Sequence, residues 1–171
     1  AVIRNSPDGK EEREPTTVMS VLRKCVAEHG DEGALHWKNT KEDAEFASWT
    51  WKEYHEEIQC FGRALLSQGF EAFQSVNVIG FNSREWLVAD VGCIAAGGLA
   101  AGIYATNGPE ATQYIVKHSD AAVVVVDGAA QLQKFPAVVA GGACPKLKSL
   151  VVYNADAAAI ADLKSKLSGD V

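Results

Sequence analysis

Hydrophobic residues follow two different patterns along this chain. Between residues 51 and 69 they recur at the three- and four-residue intervals of an amphipathic helix. From residue 76 onward, short uninterrupted apolar runs alternate with helical segments, and one of these runs is VVVV at 123–126. Such a run indicates a strand that is covered on both faces of a sheet. The pattern predicts an α/β fold built on a doubly wound, largely parallel sheet.

The ends of the elements follow from capping and turn residues. The first helix begins after Thr16 or Thr17, either of which can cap it, and stops at His29–Gly30. The second begins at Thr50, which has capping-box spacing to Glu53, and runs to Gly69. Further helices are predicted at 83–96, 109–118 and 130–139, and strands at 34–37, 46–49, 76–81, 99–104, 122–126 and 149–153. The first two strands are expected to form a hairpin.

The two ends of the chain carry little pattern. Residues 1–15 are polar and contain Pro7 and Pro15, which predicts a mobile lead-in. They contain no apolar run that could serve as a signal peptide, and no initiator Met. The carboxyl-terminal end, SKLSGDV, stops in the middle of a pattern of apolar and polar residues. We therefore expect a chain that is truncated at both ends.

Charge and cysteine usage narrow the functional classes. The 171 residues carry a net charge of −6 without clustered Lys and Arg, which argues against a nucleic-acid partner. The cysteines are too widely spaced for a redox pair or a zinc site, so reduced, small apolar residues in a reducing, cytoplasmic compartment are expected. They are Cys25, Cys60, Cys93 and Cys144.

One uncharged stretch, 91–109, is long enough to be considered as a membrane span. Glycines interrupt it, large aliphatic residues are few, and it ends in turn residues at Asn107–Pro109. A helix, a glycine turn and a buried strand describe it better. No transmembrane segment is therefore predicted.

Common catalytic and nucleotide-binding motifs are absent from the sequence. There is no glycine-rich dinucleotide motif after a strand, no phosphate-binding loop motif, no nucleophile elbow and no HExxH. The histidines stand apart from any ligand set, and the tryptophans are expected in core or edge packing rather than on a ligand-stacking surface. No catalytic, cofactor-binding or metal-binding residue is predicted.

Two loops are better placed for a ligand. In an open parallel sheet, ligands bind beyond the carboxyl ends of the strands, which here are residues 81–83 and 104–107. Polar residues in these loops either contact a ligand or cap the helices that follow, as Asn82 or Ser83 and Thr106 or Asn107 can do. The candidates for a substrate cleft are Asn82, Tyr104 and Thr106.

The run Ser75–Asp127 resembles the amino-terminal subdomain of the large domain of adenylate-forming (AMP-binding) enzymes. It contains, in order, a strand leading into Asn-Ser-x-Glu-Trp, a helix ending in Ala-Gly-Gly, a strand closing on a Tyr loop, and a helix before a strand of valines. GFNSREW together with GIYATN is most similar to the bubblegum-type long-chain fatty acyl-CoA synthetases. The resemblance covers most of 16–153 and departs from the family at Asn77, where relatives usually have a small or apolar residue.

The resemblance implies a two-step ligase. A fatty acid reacts with MgATP to form an acyl-adenylate and pyrophosphate, and CoA then displaces AMP. ATP, Mg²⁺ and CoA are thus implied for the parent enzyme, and none is expected to bind this chain tightly. The family's phosphate-binding run would lie beyond residue 171. Residues 16–171 are therefore expected to be an incomplete part of the large domain, inactive alone and partnered by the remainder of its own chain.

Two other interpretations stay open. The parent could activate a short-chain or aromatic acid instead, or the chain could be a stand-alone flavodoxin- or Rossmann-like module that binds a nucleotide or a protein. A peripheral membrane location of the whole enzyme is a further alternative to a purely cytoplasmic one. An incomplete domain also predicts exposed apolar surface, and hence self-association or dye binding.

Overall fold

The computed structural model describes residues 15–40 and 42–167. The lead-in predicted at 1–15 therefore lies, apart from Pro15, outside the described residues. The elements are α1 Val18–His29, β1 Gly33–Trp37, β2 Ala47–Thr50, α2 Trp51–Ser67, β3 Ser75–Ile79, α3 Arg84–Ala95, β4 Leu99–Ile103, α4 Pro109–His118, β5 Ala121–Asp127, α5 Gly128–Leu132, α6 Phe135–Val139, β6 Ser149–Tyr153 and α7 Ala157–Leu167. A short 3₁₀ turn, Ala140–Gly142, follows α6.

The strands form two sheets. β1 and β2 make an antiparallel hairpin, and the other four strands form a parallel sheet in the order β4-β3-β5-β6. Helices α2 and α3 cover one face of the parallel sheet, and α4 to α7 cover the other. Every residue of β3 and all but the last of β5 are buried. The doubly wound α/β prediction is confirmed.

Helix starts agree with the capping residues in three of four cases. Thr17 caps α1, accepting from the Ser20 N–H at 3.1 Å. At α2, Thr50 Oγ1 accepts from the Glu53 N–H at 3.2 Å, and the Glu53 carboxylate accepts from the Thr50 N–H at 2.7 Å. This reciprocal pair confirms the predicted capping box.

The sequence left two capping residues open for α3 and two for α4, and the structure shows which residue lies at each N-cap. Ser83, not Asn82, caps α3, with its Oγ accepting from the Trp86 N–H at 3.1 Å. At α4 the N-cap is Gly108, which has no side chain to donate or accept. The capping interpretation of Thr106 and Asn107 was therefore wrong. Pro109 begins the helix because its fixed φ suits the first turn and its missing N–H is not needed there.

The uncharged stretch 91–109 contains the end of α3, a turn and β4, as predicted. Gly97 ends α3 with φ +83°, a conformation that suits glycine. However, β4 is not the buried strand that the sequence suggested, because it lies at the edge of the sheet and Leu99 is 56% exposed. Within the described ranges, no helix combines the length and the apolar content needed to cross a bilayer.

Two helical segments differ from the prediction. The helix expected at 130–139 is divided into α5 and α6 around Gln133 and Lys134. Pro136 explains the break, since its ring would clash with the carbonyl four residues earlier in a continuous helix. Helix α7 was not predicted, because its Ala-rich sequence has little contrast between an apolar and a polar face.

All four cysteines are free thiols, but their environments differ. Cys93 and Cys144 are buried, and burial raises the pKa of Cys93 to about 11. Cys25 is half-buried. Cys60 is exposed and accepts from the Arg63 guanidinium at 3.2 Å. The expectation of a small apolar role therefore holds for Cys93 and Cys144 and fails for Cys60.

Asn77 is the one polar residue in the middle of β3, and it is fully buried. Its Oδ1 accepts from Ser119 Oγ at 3.1 Å, but its Nδ2 has no partner among the described residues. A buried donor without an acceptor lowers stability by about 1–3 kcal/mol. The Ser119 hydroxyl does not depend on Asn77, since it also lies 2.9 Å from the Ile115 carbonyl oxygen.

Asn77→Val should therefore raise the free energy of unfolding by about 1 kcal/mol, because it removes the unpaired amide and places a strand-forming side chain in the core. Urea unfolding of the 171-residue chain measures the change. Thr112→Val is the matched control. Thr112 is also fully buried, but its hydroxyl donates to the Gly108 carbonyl at 2.9 Å, so this change should lower stability. A loss of stability in both variants would contradict the account.

Candidate substrate cleft

The path of the chain creates a crevice at the carboxyl end of β3. The helix after β3 lies on one face of the sheet, whereas the helices after its neighbours β4 and β5 lie on the other face. Connections that leave adjacent strands in opposite directions separate at the sheet edge, and ligands bind in the resulting space. This edge is where residues 81–83 and 104–107 meet.

A cleft of about 630 Å³ opens at this point. Its walls are Gly80, Phe81, Asn82, Trp86, Gly102, Ile103, Tyr104, Ala105 and Thr106. All three candidates from the sequence, Asn82, Tyr104 and Thr106, line it. The structure thus brings them together, and their contact with a substrate stays a prediction.

The lining is uncharged and partly aromatic. Phe81 and Tyr104 are 69% and 81% exposed at the mouth of the cleft, and Trp86 lies deeper, on the first turn of α3. A Cβ added to Gly102 would lie 3.3 Å from the Trp86 ring. The small residue on β4 thus leaves room for the indole. Asn82, Thr106 and Tyr104 add an amide and two hydroxyl groups to a wall that is mostly apolar, a composition typical of small-molecule pockets.

Trp37, Trp49 and Trp86 contribute to packing, and Trp86 also lines the cleft. Trp37 and Trp49 pack edge to face in the hairpin with ring centroids 5.2 Å apart, and the Arg84 guanidinium lies 4.4 Å and 5.0 Å from their rings. Arg84 also pairs with Glu85 at 2.7 Å. These contacts join the hairpin to the start of α3. Trp86 packs against the core on the α2–α3 face of the sheet, as expected, and it also lines the cleft.

A polar cluster lies beside the cleft, where β3, β5 and β6 end. Ser83 Oγ donates to the Tyr153 hydroxyl at 3.3 Å, and Asn154 Nδ2 donates to the Asp127 carboxylate at 3.0 Å. Burial raises the pKa of Tyr153 above that of an ordinary phenol. Gly80 permits this packing, because a Cβ there would lie 2.5 Å from Asp127 Cβ and 2.6 Å from the Tyr153 hydroxyl.

Sequence reasoning missed Lys134, which contacts the second loop of the cleft. Its ammonium donates to the Ala105 and Asn107 carbonyl oxygens at 2.9 and 2.6 Å, and to Gln131 Oε1 at 2.6 Å. Burial lowers the pKa of Lys134. One signal was available: Lys134 is the only charged residue between Asp127 and Lys146. A lone cation in an apolar segment often has an internal partner.

The histidines at the helix ends lie away from this cleft. His29 and His118 are the last residues of α1 and α4, as expected for imidazoles at helix ends. A hydrogen bond to Glu32 raises the pKa of His29. Over residues 15–40 and 42–167, no group of three or more His, Cys, Asp and Glu side chains is arranged to hold a metal ion.

Gly80→Ala should lower the free energy of unfolding by about 1–3 kcal/mol, because the new methyl overlaps Asp127 and Tyr153. Thermal or urea unfolding of the chain measures this loss. Gly108→Ala is the control, since no described atom lies within 4 Å of a Cβ at that position and its φ is −72°, so it should lose only the stability, less than about 1 kcal/mol, that separates Gly from Ala at an N-cap. Equal effects of the two changes would show that close packing at the sheet edge is not the reason for Gly80.

Comparison with known proteins shows the family to which this chain belongs. Residues 22–169 match the family described as AMP-binding enzyme. Long-chain-fatty-acid–CoA ligase ACSBG2 of Xenopus laevis is 35% identical over 139 residues, which are 81% of this chain and 18% of that protein. Its Homo sapiens counterpart is 34% identical over 152 residues, 89% of this chain and 22% of that protein. The chain thus spans about a fifth of the length of these curated relatives.

A solved structure agrees with the fold. The A-PCP didomain of carboxylic acid reductase from Segniliparus rugosus, in complex with AMP, superposes with a TM-score of 0.79 and 16% identity. The match covers 91% of this chain and 24% of that one. At this identity the likeness concerns the fold alone, and it shows that this chain shares the fold of part of that didomain.

Proposed function

Because this chain belongs to the AMP-binding enzyme family, we propose that it is part of a bubblegum-type long-chain fatty acid–CoA ligase. Such an enzyme converts a fatty acid, ATP and CoA into acyl-CoA, AMP and pyrophosphate through an acyl-adenylate. Residues 16–171 form an incomplete amino-terminal part of its large domain, with the remainder of the enzyme as partner. The four free cysteines support a reducing, cytoplasmic location, with peripheral membrane association as the alternative.

The cleft at the carboxyl end of β3 contributes a wall of the site for the acyl group. The observation that carries this assignment is its uncharged lining, in which Phe81, Trp86 and Tyr104 surround a cavity of about 630 Å³. Apolar surface of this kind stabilises a bound alkyl chain by about 25 cal/mol per Å² buried. Asn82 and Thr106 can hydrogen-bond to neutral polar atoms of the same ligand.

The cleft residues do not fit the phosphates of ATP or Mg²⁺. Phosphoryl chemistry requires charge neutralisation by cationic side chains, by backbone amides or by a metal held by carboxylates, and none of the described residues that line this cleft is charged. We therefore assign the contacts to ATP, Mg²⁺ and CoA to other parts of the enzyme. In the proposed reaction these residues shape and dehydrate the acyl site and transfer no proton.

ATP–pyrophosphate exchange by the complete enzyme tests the substrate class. Exchange should be fastest with palmitate and much slower with acetate or coumarate. Preference for either small acid would identify another acid-activating ligase. Titrating the 171-residue chain alone with ATP, AMP and flavin distinguishes a ligase fragment from a stand-alone nucleotide-binding module. Micromolar binding would support that module and contradict the proposal.

Tyr104→Ala in the complete enzyme should raise the KM for palmitate about tenfold and leave kcat and the KM for ATP nearly unchanged, because it removes apolar contact area from the bound acyl chain only. Tyr104 is 81% exposed in this chain, so its truncation should not unfold the domain. Tyr114→Ala is the matched control. Tyr114 is 66% exposed on α4 and does not line the cleft. A KM change shared by both variants would refute the assignment of the cleft.

A further inference from the structure

Lys134 links the helical layer to the loop of residues 104–107, which we call the cleft loop. Two of its three hydrogen bonds go to main-chain carbonyl oxygens of this loop, at Ala105 and Asn107. The third goes to Gln131 on α5. An ammonium has three N–H groups, so these three acceptors use all of them. Hydrogen bonds from a charged donor are also stronger than those between neutral groups.

Apart from the strand ladder and the helices, the cleft loop forms one main-chain hydrogen bond within itself among the described residues. Its internal main-chain hydrogen bond runs from the Asn107 N–H to the Tyr104 carbonyl at 2.9 Å. It carries two of the cleft residues, Tyr104 and Thr106, and Tyr104 is 81% exposed. The position of these side chains therefore depends on how the loop backbone is held. The Lys134 ammonium supplies two hydrogen bonds that join this backbone to the segment between α5 and α6.

The backbone that carries Lys134 is firmly anchored. Its neighbours Leu132 and Phe135 are 1% and 0% exposed in the core beneath α5 and α6. Gln113 on α4 donates to the Ala137 and Val138 carbonyl oxygens at 3.2 and 2.8 Å, which joins α4 to α6. A lysine on a rigid support can hold a loop that is not rigid by itself.

We propose that Lys134 is a positioning residue that fixes the cleft loop and thereby sets the affinity of the cleft for its acyl ligand. Lys134 does not line the cleft, so it acts through Tyr104 and Thr106 and not by touching the ligand. The part of this inference that concerns affinity depends on the function proposed above. The part that concerns the loop does not.

The loop contact is tested on the 171-residue chain itself. In Lys134→Met, which keeps the length of the side chain and removes its donors, hydrogen exchange at the Asn107 amide should become about tenfold faster. Lys134→Arg, which keeps charge and donors, should restore most of the protection. Two controls should leave exchange within about twofold of the parent. These are Lys117→Met, at an exposed lysine of α4, and Gln131→Leu, which removes only the acceptor outside the loop.

Unchanged exchange in Lys134→Met would overturn the proposal, as would equal acceleration in Lys117→Met. Urea unfolding of each variant shows that the exchange is measured on folded protein. If Lys134→Met does not fold, Lys134→Gln supplies a shorter neutral side chain that does not reach both carbonyl groups. The same tenfold expectation applies to it.

The affinity is tested in the complete enzyme. Lys134→Met should raise the KM for palmitate about tenfold with little change in kcat or in the KM for ATP, and Lys134→Arg should largely restore it. A merely structural role would instead lower the amount of active enzyme and leave KM unchanged. If Tyr104→Ala raises the KM and Lys134→Met does not, the positioning role is refuted while the cleft assignment stands. If neither variant changes the KM, the cleft assignment fails and the affinity role fails with it.

Discussion

The burial of β3 and β5 on both faces is the constraint on which the rest of the structure depends. Four consecutive valines in β5 are each 4% exposed or less, and each contributes about 1.5–3 kcal/mol of hydrophobic stabilisation when fully buried. Strands of this kind require a helical layer above and another below. The two layers, α2–α3 and α4–α7, follow from that requirement, and so does the divergence of the connections at the end of β3.

The cleft is a consequence of this divergence and of small residues at the sheet edge. Gly80 lets Asp127 and Tyr153, the last residues of β5 and β6, pack against the end of β3, while Gly102 leaves room for Trp86. A closely packed polar cluster therefore lies on the β5 side of β3, and the open, mostly apolar cleft lies on the β4 side. Two contacts from outside the cleft support its walls. Arg84 at the start of α3 contacts the hairpin, and Lys134 donates to the cleft loop.

The sequence predicts best the elements whose signals are local and strong. The capping box at Thr50, the helix that follows it and the valine strand depend on spacing alone, and all were confirmed. Sequence reasoning also placed Asn82, Tyr104 and Thr106 at one edge, because parallel strands end there together. It failed where the outcome depends on tertiary contacts: the exposure of Leu99 at an edge strand and the reach of Lys134 to carbonyl groups about 30 residues away.

The most direct test of the central claim is to find where a fatty acid lies in the complete enzyme. A photoreactive long-chain fatty acid, bound and irradiated in the presence of MgATP, marks the residues that surround the acyl chain. Trypsin should release residues 85–117 as one peptide, which carries Trp86, Tyr104 and Thr106. The account predicts label in that peptide, and excess palmitate should prevent it. Label that is confined to peptides outside residues 64–117 would contradict it.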